Sequence, residues 1–329
     1  MTTILGIEST AHTFGIGIVR DGKILSNVKN AYTTESGGII PMDAAKHHAR
    51  NAEKIFEKSL KESGLKKEEI EGIAFSQGPG LAPCLLEGIK FAKKISEELN
   101  VPLIPVNHCV AHLEVGRITG AKDPVMLYAS GANTQIIAYL SGKYRVFGET
   151  LDIGVGNFID NFARYLKMGF PGGPKVEMLS KKGNSYIELP YTVKGMDVVL
   201  SGMLTNLKQK VESGKYEKED LAWSMQETAF AMLVEVSERA LAHTGKKELL
   251  LGGGVGCNKR LQEMCEIMCR ERGVKFFVPD NSFLTDNGAM IAFLGEIMFE
   301  AGVEISVGKI ENLDIKPRQR TDEVEVIWR

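Results

Sequence analysis

The sequence has few of the features that mark membrane proteins, disulfide scaffolds or nucleic-acid-binding arms. No apolar run approaches the roughly 18 residues that a membrane helix needs. The five cysteines are an odd number in 329 residues, which argues against a disulfide framework and indicates reduced thiols. The formal net charge is only −2, so a nucleic acid would have to bind local basic patches or other subunits. Because the first residues run directly into a strand, without a signal peptide, we expect a cytoplasmic protein with no membrane attachment.

The length and the order of patterns indicate two α/β lobes. A chain of 329 residues exceeds the size at which one hydrophobic core usually serves a whole protein. Apolar strands alternate with helical stretches at 41–63 and 85–99, which favours layers of helices on sheets. We expect a first lobe at residues 1–123, a second lobe at 124–295, and a C-terminal segment at 296–329 that packs back on the first lobe.

The strongest internal signal is a duplication. Residues 4–28 predict three strands joined by a small polar turn and an Asp-Gly turn, and residues 125–146 repeat that pattern. The two copies align at three pairs of positions: Thr10 with Ser130, Ile16 with Ile136, and Gly22 with Gly142. Such a repeat implies two similar lobes that face each other across a cleft. Small polar turns on both sides of a cleft suit phosphate binding and are typical of actin, Hsp70 and sugar kinases.

Two histidines spaced four residues apart, His108 and His112, predict a metal site. On a helix they share one face and lie close enough to bind the same ion. Two imidazoles leave the coordination sphere incomplete, and loops at 128–135 and 285–288 are suited to supply further ligands. The alternative is a structural pair of histidines at the start of a helix. A zinc peptidase is disfavoured, because Cys109 stands where that motif requires a glutamate.

Three segments of the predicted second lobe are candidates for binding a nucleotide. Asp160 lies near the predicted start of a helix, where it either favours the helix dipole or accepts hydrogen bonds from a ribose. Residues 169–174 form a rigid loop of glycine and proline, and Glu177 follows in the first turn of the next predicted helix. Three glycines at 252–254 end a buried strand, and they serve either tight packing or contact with a nucleotide.

Six motifs, taken in order, carry a resemblance to one protein family. They are Gly-Ile-Glu-Ser-Thr-Ala-His-Thr, Ser-Gln-Gly-Pro-Gly, Asn-His-x-x-Ala-His, Gly-Phe-Pro-Gly-Gly-Pro, Leu-Ser-Gly and Asp-Asn-Gly-Ala-Met-Ile-Ala. With these motifs the chain resembles the catalytic subunit of archaeal and eukaryotic KEOPS complexes, which is related to bacterial TsaD. The resemblance implies a two-lobed ASKHA fold (actin/Hsp70/sugar-kinase-like) of class α/β, made of duplicated RNase H-like mixed sheets flanked by helices.

The same resemblance implies a reaction and a set of site residues. The reaction is transfer of a threonylcarbamoyl group from threonylcarbamoyl-AMP to N6 of the adenosine 3′ of the anticodon, in tRNAs that read ANN codons. The implied metal ligands are His108, His112, Tyr128 and Asp286. The implied substrate-binding residues are Tyr128, Ala129, Ser130, Gly131, Ala132, Asp160, Gly173, Glu177 and Asn258.

The implied chemistry defines the cofactors and partners. Loss of AMP from the carbamoyl carbon requires stabilisation of negative charge on oxygens, and one divalent metal per chain would provide it. Tyrosine and aspartate ligands favour iron, with zinc as the alternative. The adenine amine is a poor nucleophile, and Glu8 and His12 in the first polar turn are candidates for a catalytic base. The implied partners are tRNA and three KEOPS subunits: a small protein kinase or ATPase, a dimerising subunit and a regulatory subunit.

Two other functions are compatible with the same fold. An ATPase or kinase of this architecture would convert ATP to ADP without tRNA or a threonylcarbamoyl-adenylate. A non-enzymatic, nucleotide-sensing scaffold would give no transfer even with every partner present. The motifs favour the acyltransferase over both alternatives, because they extend along nearly the whole chain rather than marking the nucleotide loops alone.

Overall fold

The first part of the chain forms a five-stranded mixed sheet. In the computed structural model, which describes residues 1–34 and 38–329, its strands are β1 (Thr3–Glu8), β2 (Thr13–Arg20), β3 (Lys23–Ala31), β4 (Gly72–Gly78) and β5 (Leu103–Asn107). The order across the sheet is β3-β2-β1-β4-β5. The pairs β1–β2 and β2–β3 are antiparallel, whereas β4 runs parallel to both β1 and β5.

A second sheet repeats this arrangement. This part of the chain contains β6 (Val125–Ala129), β7 (Thr134–Leu140), β8 (Lys143–Glu149), a separate hairpin of β9 (Val193–Lys194) and β10 (Asp197–Val198), then β11 (Glu248–Gly252) and β12 (Lys275–Phe277). The order β12-β11-β6-β7-β8 has the connectivity and strand directions of the first sheet. The predicted duplication and the α/β class are therefore confirmed.

Matching hairpin turns explain why the repeat is visible in the sequence. The β2–β3 turn contains Asp21 and Gly22 with φ angles of 49° and 73°, and the β7–β8 turn contains Ser141 and Gly142 with 52° and 77°. Two consecutive positive φ angles define a type I′ turn, whose twist matches that of the flanking strands. Glycine adopts the second angle without steric cost, so each copy keeps a glycine there.

Helices cover both sheets. They are α1 (Pro41–Ser63), α2 (Ala82–Leu99), α3 (His108–Val115), α4 (Val155–Tyr165), α5 (Gly173–Ser180), α6 (Ser201–Ser213), α7 (Lys218–Thr244), α8 (Lys259–Arg272), α9 (Asn281–Leu284) and α10 (Gly288–Glu300). The first two confirm the predicted helices, the second of which begins three residues earlier than expected. Among the described residues, no helix combines the length and the apolar character that crossing a membrane requires. One apolar cluster contains residues of both sheets together with α3 and α10, and so lies between the lobes.

Helix α10 packs directly on the first sheet because glycines remove side chains from the contact. A Cβ atom at Gly6 would lie 2.1 Å from the backbone nitrogen of Ala292, and one at Gly17 would lie 2.3 Å from that of Ala289. The helix therefore returns to the first sheet although it follows the second sheet in the chain. The lobe boundaries stay a prediction, and this contact favours counting residues 288–295 with the first lobe.

The C-terminal segment packs on both lobes. Ile305 forms a bridge with Leu103 at the edge of the first sheet. The last residues instead contact β7 and β8 of the second sheet, where the Arg329 guanidinium lies over tyrosine rings. The packing of 296–329 on the first lobe stays a prediction, which the bridge at Ile305 favours, and the final residues contact the second sheet as well. Arg329 also pairs with the buried carboxylate of Glu114 on α3, which belongs to the predicted first lobe.

Candidate active site

Helix α3 begins directly at the end of β5 and brings both histidines into the interior. The Asn107 side chain accepts hydrogen bonds from the backbone nitrogens of Cys109 (3.0 Å) and Val110 (3.1 Å), and so caps the helix. His108 and His112 are both buried, with their ring centres 4.8 Å apart. The shared helical face that the spacing predicts is present in the structure.

Asp286 completes a cluster of three candidate metal ligands. Its Oδ1 lies 3.5 Å from His108 Nε2 and 3.4 Å from His112 Nε2. The three ligand atoms all lie within 4.8 Å of one another, which is close enough to bind one ion. The next residue, Asn287, caps α10 by accepting a hydrogen bond from Met290 N (3.0 Å). The Asp286 carboxylate is therefore not used as a helix cap.

Tyr128, the fourth predicted ligand, lies on β6 beside this cluster. Its ring centre is 5.0 Å from that of His112. Within the described part of the chain, the buried Tyr128 hydroxyl has no hydrogen-bond partner, and neither ring nitrogen of His112 has one. The contact between His112 and Asp286 is thus too poorly aligned to be a hydrogen bond. Buried polar atoms without partners are costly, so this set of imidazole, phenol and carboxylate groups fits a metal ion.

Burial and charge act against each other in the cluster. Burial alone would lower the pKa of His108, but Glu8 and Asp286 outweigh it and raise that pKa to about 9. Burial lowers the pKa of His112 and raises that of Tyr128 well above its ordinary value. Burial also opposes ionisation of Asp286, yet the neighbouring imidazoles hold its pKa well below the usual range. The site therefore favours a positive charge between its carboxylates, which is the role a divalent cation would take.

Glu8, a candidate base, is occupied in orienting His108. This fully buried carboxylate lies 2.9 Å from His108 Nδ1 through Oε2, while Oε1 accepts hydrogen bonds from the Thr10 backbone nitrogen (2.6 Å) and hydroxyl. A carboxylate on one ring nitrogen keeps the proton there and leaves the other nitrogen free for a metal. The geometry therefore favours a positioning role for Glu8 over that of a base.

His12, the other candidate base, lies in the same polar turn but faces the second lobe. Its ring meets Phe170 edge-on, with the ring centres 5.4 Å apart. Thr34 forms a bridge with Phe170 as well, so this loop of the second lobe contacts the first lobe at two points. His12 therefore lies where the first polar turn meets the loop at Phe170.

The second polar turn, residues 129–133, is held by the start of α4. Two backbone N–H groups of α4 donate hydrogen bonds to the carbonyl oxygens of Ser130 and Gly131, at 3.0 and 2.9 Å. Ala129 is buried at the base of the turn, whereas Gly131 and Ala132 are exposed at its tip. The turn is therefore rigid at its base and accessible to a ligand at its tip.

Asp160, Gly173 and Glu177 lie along one wall of the second lobe. Asp160 is in the middle of α4, so its predicted position near the helix start is wrong, and of the two alternatives the helix-dipole role is disfavoured. Its Oδ1 accepts a hydrogen bond from Gly172 N (2.7 Å), while burial raises its pKa. Glu177 lies in the second turn of α5, not the first, and its Oε1 accepts from Lys259 N (3.2 Å). These contacts join α4, α5 and α8 into one surface.

The Asn258 side chain is used within the protein. Its Oδ1 accepts hydrogen bonds from Arg260 N (2.9 Å) and Leu261 N (3.3 Å), which caps α8. Its Nδ2 donates to Gln226 Oε1 (2.7 Å), and the whole residue is buried. Asn258 therefore positions the start of α8 in this conformation, and its contact with a nucleotide stays a prediction.

The glycine triplet at the end of β11 packs against β6 and the second polar turn. A Cβ atom at Gly252 would lie 2.8 Å from Met126 Sδ. One at Gly253, where φ is +85°, would lie 2.4 Å from the carbonyl oxygen of Ala129. Gly254 has no such close neighbour among the described residues. Tight packing therefore explains the first two glycines, and only the third leaves room for a ligand.

Three supporting residues were not predicted from the sequence. Asn107 caps α3, and an asparagine directly before a helical pattern is a recognised start signal that could have identified it. Thr10 holds Glu8 through contacts two residues away in the chain. Gln226 supports Asn258 from within α7, where no local pattern indicates such a partner.

The fold is similar to that of several solved structures at low sequence identity. Full-length HypF in its phosphate- and nucleotide-bound form matches with a TM-score of 0.62 and 12% identity, over 91% of this chain and 56% of that one. Component A of (R)-2-hydroxyglutaryl-CoA dehydratase from Acidaminococcus fermentans matches with a TM-score of 0.57 and 13% identity, over 90% of this chain and 98% of that one. These similarities show a shared ASKHA-type fold and no more.

Similar sequences identify the family of the chain, which the fold alone does not. The tRNA N6-adenosine threonylcarbamoyltransferase of Thermococcus kodakarensis is 56% identical over 324 residues, covering 98% of this chain and 99% of the relative. A probable bifunctional tRNA threonylcarbamoyladenosine biosynthesis protein of Methanosarcina barkeri is 51% identical over 331 residues, covering 99% of this chain but 60% of the relative. The TsaD family model, described as tRNA N6-adenosine threonylcarbamoyltransferase, matches residues 23–293. The chain therefore belongs to the TsaD family of tRNA N6-adenosine threonylcarbamoyltransferases, and it is a transferase.

Proposed function

We propose that this transferase moves the threonylcarbamoyl group from threonylcarbamoyl-AMP to N6 of the adenosine 3′ of the anticodon in ANN-decoding tRNAs, as the catalytic subunit of a KEOPS-type complex. The observation that carries the proposal is the cluster of the buried His108, His112 and Tyr128 with the half-buried Asp286 between the lobes. Acyl transfer from an adenylate develops negative charge on oxygens, and such charge requires a preorganised positive partner.

These four residues would hold one divalent cation. Two imidazoles, a phenol and a carboxylate favour iron, with zinc as the alternative. When bound, the cation supplies Lewis-acid polarisation of substrate oxygens. The chain itself contributes the geometry, because Glu8 fixes the orientation of one imidazole from behind.

The wall formed by α4, α5 and α8 is the proposed adenylate site. The carboxylates of Asp160 and Glu177 lie on either side of the loop that ends at Gly173 and accept hydrogen bonds from backbone N–H groups. The turn at 129–133 follows Tyr128 directly and is hydrogen-bonded to the start of α4, so it connects the strand that carries Tyr128 with this wall. A nucleotide along the wall would thus direct its phosphate to the turn and its acyl group to the cluster.

The transfer itself exchanges one bond to the carbamoyl carbon for another. N6 of the acceptor adenine forms a new C–N bond, the bond to the phosphate oxygen breaks, AMP leaves with the electron pair, and N6 loses one proton. His12 is the better placed of the two candidate bases, because both oxygens of Glu8 are engaged within the protein. Positioning of the weakly nucleophilic amine is the larger requirement.

Companion subunits are part of the proposal. The formal net charge of −2 gives the chain no general attraction for tRNA, so other subunits would have to contribute to docking. The proposed partners are a small protein kinase or ATPase, a dimerising subunit and a regulatory subunit. The bifunctional name and greater length of the Methanosarcina barkeri relative support a second activity that works together with this one.

A tRNA modification assay tests the proposal. Purified chain, tRNA and added threonylcarbamoyl-AMP should yield modified adenosine, and companion subunits should increase the yield. Nucleoside analysis of digested tRNA measures the product. Absence of product with all partners present would contradict the proposal, and turnover of ATP to ADP without tRNA or adenylate would favour the ATPase instead.

A further inference from the structure

The C-terminal strap, defined as residues 319–329, contacts the metal-binding region without supplying a candidate ligand. It touches α3 at both ends and the second sheet in between. Helix α3 has only eight residues and carries both histidines. A helix of about two turns has little stability of its own, so its position depends on the groups that hold its ends.

At the start of α3, the strap holds the capping residue. The Asn107 side chain caps the helix through Oδ1, and its Nδ2 donates a hydrogen bond to Gln319 Oε1 (3.1 Å). Gln319 therefore fixes the orientation of the amide that starts the helix. That amide lies one residue before His108, so a change in its orientation would be transmitted directly to the first candidate ligand.

At the end of α3, the strap compensates a buried charge. Glu114 is completely buried, and its Oε1 accepts hydrogen bonds from Arg329 Nε (3.0 Å) and from the Tyr144 hydroxyl (2.7 Å). Arg329 Nη2 lies 2.8 Å from the same oxygen, and Arg117 lies 3.1 Å from the other one. Removal of Arg329 would leave a buried carboxylate only partly compensated, which forces the element that carries it to reorganise.

Between these two contacts, the strap is attached to the strands around Tyr128. Thr321 Oγ1 donates a hydrogen bond to Gln135 Oε1 (3.1 Å), and Gln135 is the residue of β7 that pairs with Tyr128 of β6. The Arg329 guanidinium lies 4.8 Å from the centre of the Tyr139 ring, also on β7. The same segment thus contacts the helix with the histidines and the strand beside the phenol.

We propose that Gln319, Thr321 and Arg329 are positioning residues of the metal centre. They hold α3 in a fixed register with β6 and β7, and so keep the two imidazoles at the right distance from the Tyr128 phenol. This inference rests on the proposed function, since it requires that the four candidate ligands bind one ion. It assigns to the C-terminal segment a role in the site that its distance along the chain does not suggest.

Metal affinity in the folded protein tests the proposal. The dissociation constant for Zn²⁺, measured by competition with a chromophoric chelator, should rise about tenfold or more in Arg329→Ala, as for other groups that orient metal ligands. Arg329→Lys should restore most of the affinity, because it keeps a cation beside Glu114. Arg318→Ala is the matched control, since it removes the same charge from an exposed residue just outside the strap and should change nothing. Of these three variants, only Arg329→Ala should shift the visible spectrum of bound Co²⁺.

A purely stabilising role predicts a different result. Arg329→Ala would then melt at a lower temperature but bind Zn²⁺ with wild-type affinity when folded, and this would overturn the proposal. If that variant fails to fold, Gln319→Ala and Thr321→Val each remove one contact and should weaken binding about twofold to tenfold. Wild-type affinity in both would also overturn it. If the wild type binds no Zn²⁺, both the metal centre and the positioning role of the strap are refuted. If the wild type binds Zn²⁺ and the variants bind it equally well, only the positioning role of the strap is refuted.

Discussion

His108 and His112 should behave as one unit. Replacing either by alanine should abolish tight metal binding, and replacing both should cause no further loss, because ligands of a single ion are not additive. Elemental analysis of protein purified without chelators should give about one metal per wild-type chain and almost none in the variants. Equal metal content in all of them would refute the centre, and simply additive losses of stability would indicate that the histidines only pack.

Glu8→Gln should reduce metal affinity by roughly tenfold or more. The amide has a similar shape, but it offers one acceptor where the carboxylate offers two. It therefore cannot accept hydrogen bonds from both Thr10 and His108. The amide NH₂ group, itself a donor, would face the N–H group of one of them. Zn²⁺ titration of the folded variant measures the effect. Glu71→Gln is the control, because Glu71 also accepts a backbone hydrogen bond on the first sheet but has no contact with the cluster; equal effects of both substitutions would contradict the role of Glu8.

At the residue scale, the sequence is informative where partners are close along the chain. The spacing of His108 and His112 predicts their shared face, since helical periodicity relates residues four apart. The contact between Glu8 and His108 spans 100 residues and depends on how β1 and β5 are ordered in the sheet. The order of strands in a sheet cannot be deduced from a local sequence pattern. For this reason Glu8 could be identified as a candidate without its orienting role being predicted.

The packing of α10 on the first sheet should be very sensitive to single methyl groups. In Gly17→Ala the added Cβ would meet backbone atoms of α10 at 2.3 Å, and neither the strand nor the helix can yield as a side chain would. We expect a loss of about 3 kcal/mol or more in the free energy of unfolding. Chemical denaturation measures it. Gly202→Ala in α6 is the control, because among residues 1–34 and 38–329 its Cβ would meet no atom beyond its own helix turn within 4 Å, and it should stabilise the helix by up to about 1 kcal/mol.

At the element scale, the duplicated hairpins could be predicted and the path of the tail could not. The hairpins follow from alternating apolar residues and turn glycines, which are local signals. The tail is polar, and its course depends on a buried charge at Glu114 that only the folded structure reveals. One oxygen of this carboxylate pairs with the nearby Arg117, and the other pairs with Arg329 at the end of the tail.

The whole molecule places its candidate ligands at the junction of the lobes. The histidines follow the last strand of the first sheet, Tyr128 lies on the central strand of the second, and Asp286 precedes the helix that returns to the first. Residues so far apart in the chain converge only if both sheets face each other across α3 and α10. The duplication predicted two facing lobes, and the ligand positions explain why the cluster needs both of them.

Binding of tRNA should depend on companion subunits and on salt. The chain alone carries a formal net charge of −2, so it should bind tRNA weakly at physiological salt. Companion subunits should raise the affinity, and the logarithm of the association constant should then fall linearly with the logarithm of salt concentration, as phosphate contacts release counterions. Fluorescence anisotropy with labelled tRNA, at several salt concentrations and with or without the subunits, measures both effects. A tight complex of the isolated chain, or an affinity of the full complex that salt does not change, would contradict this prediction.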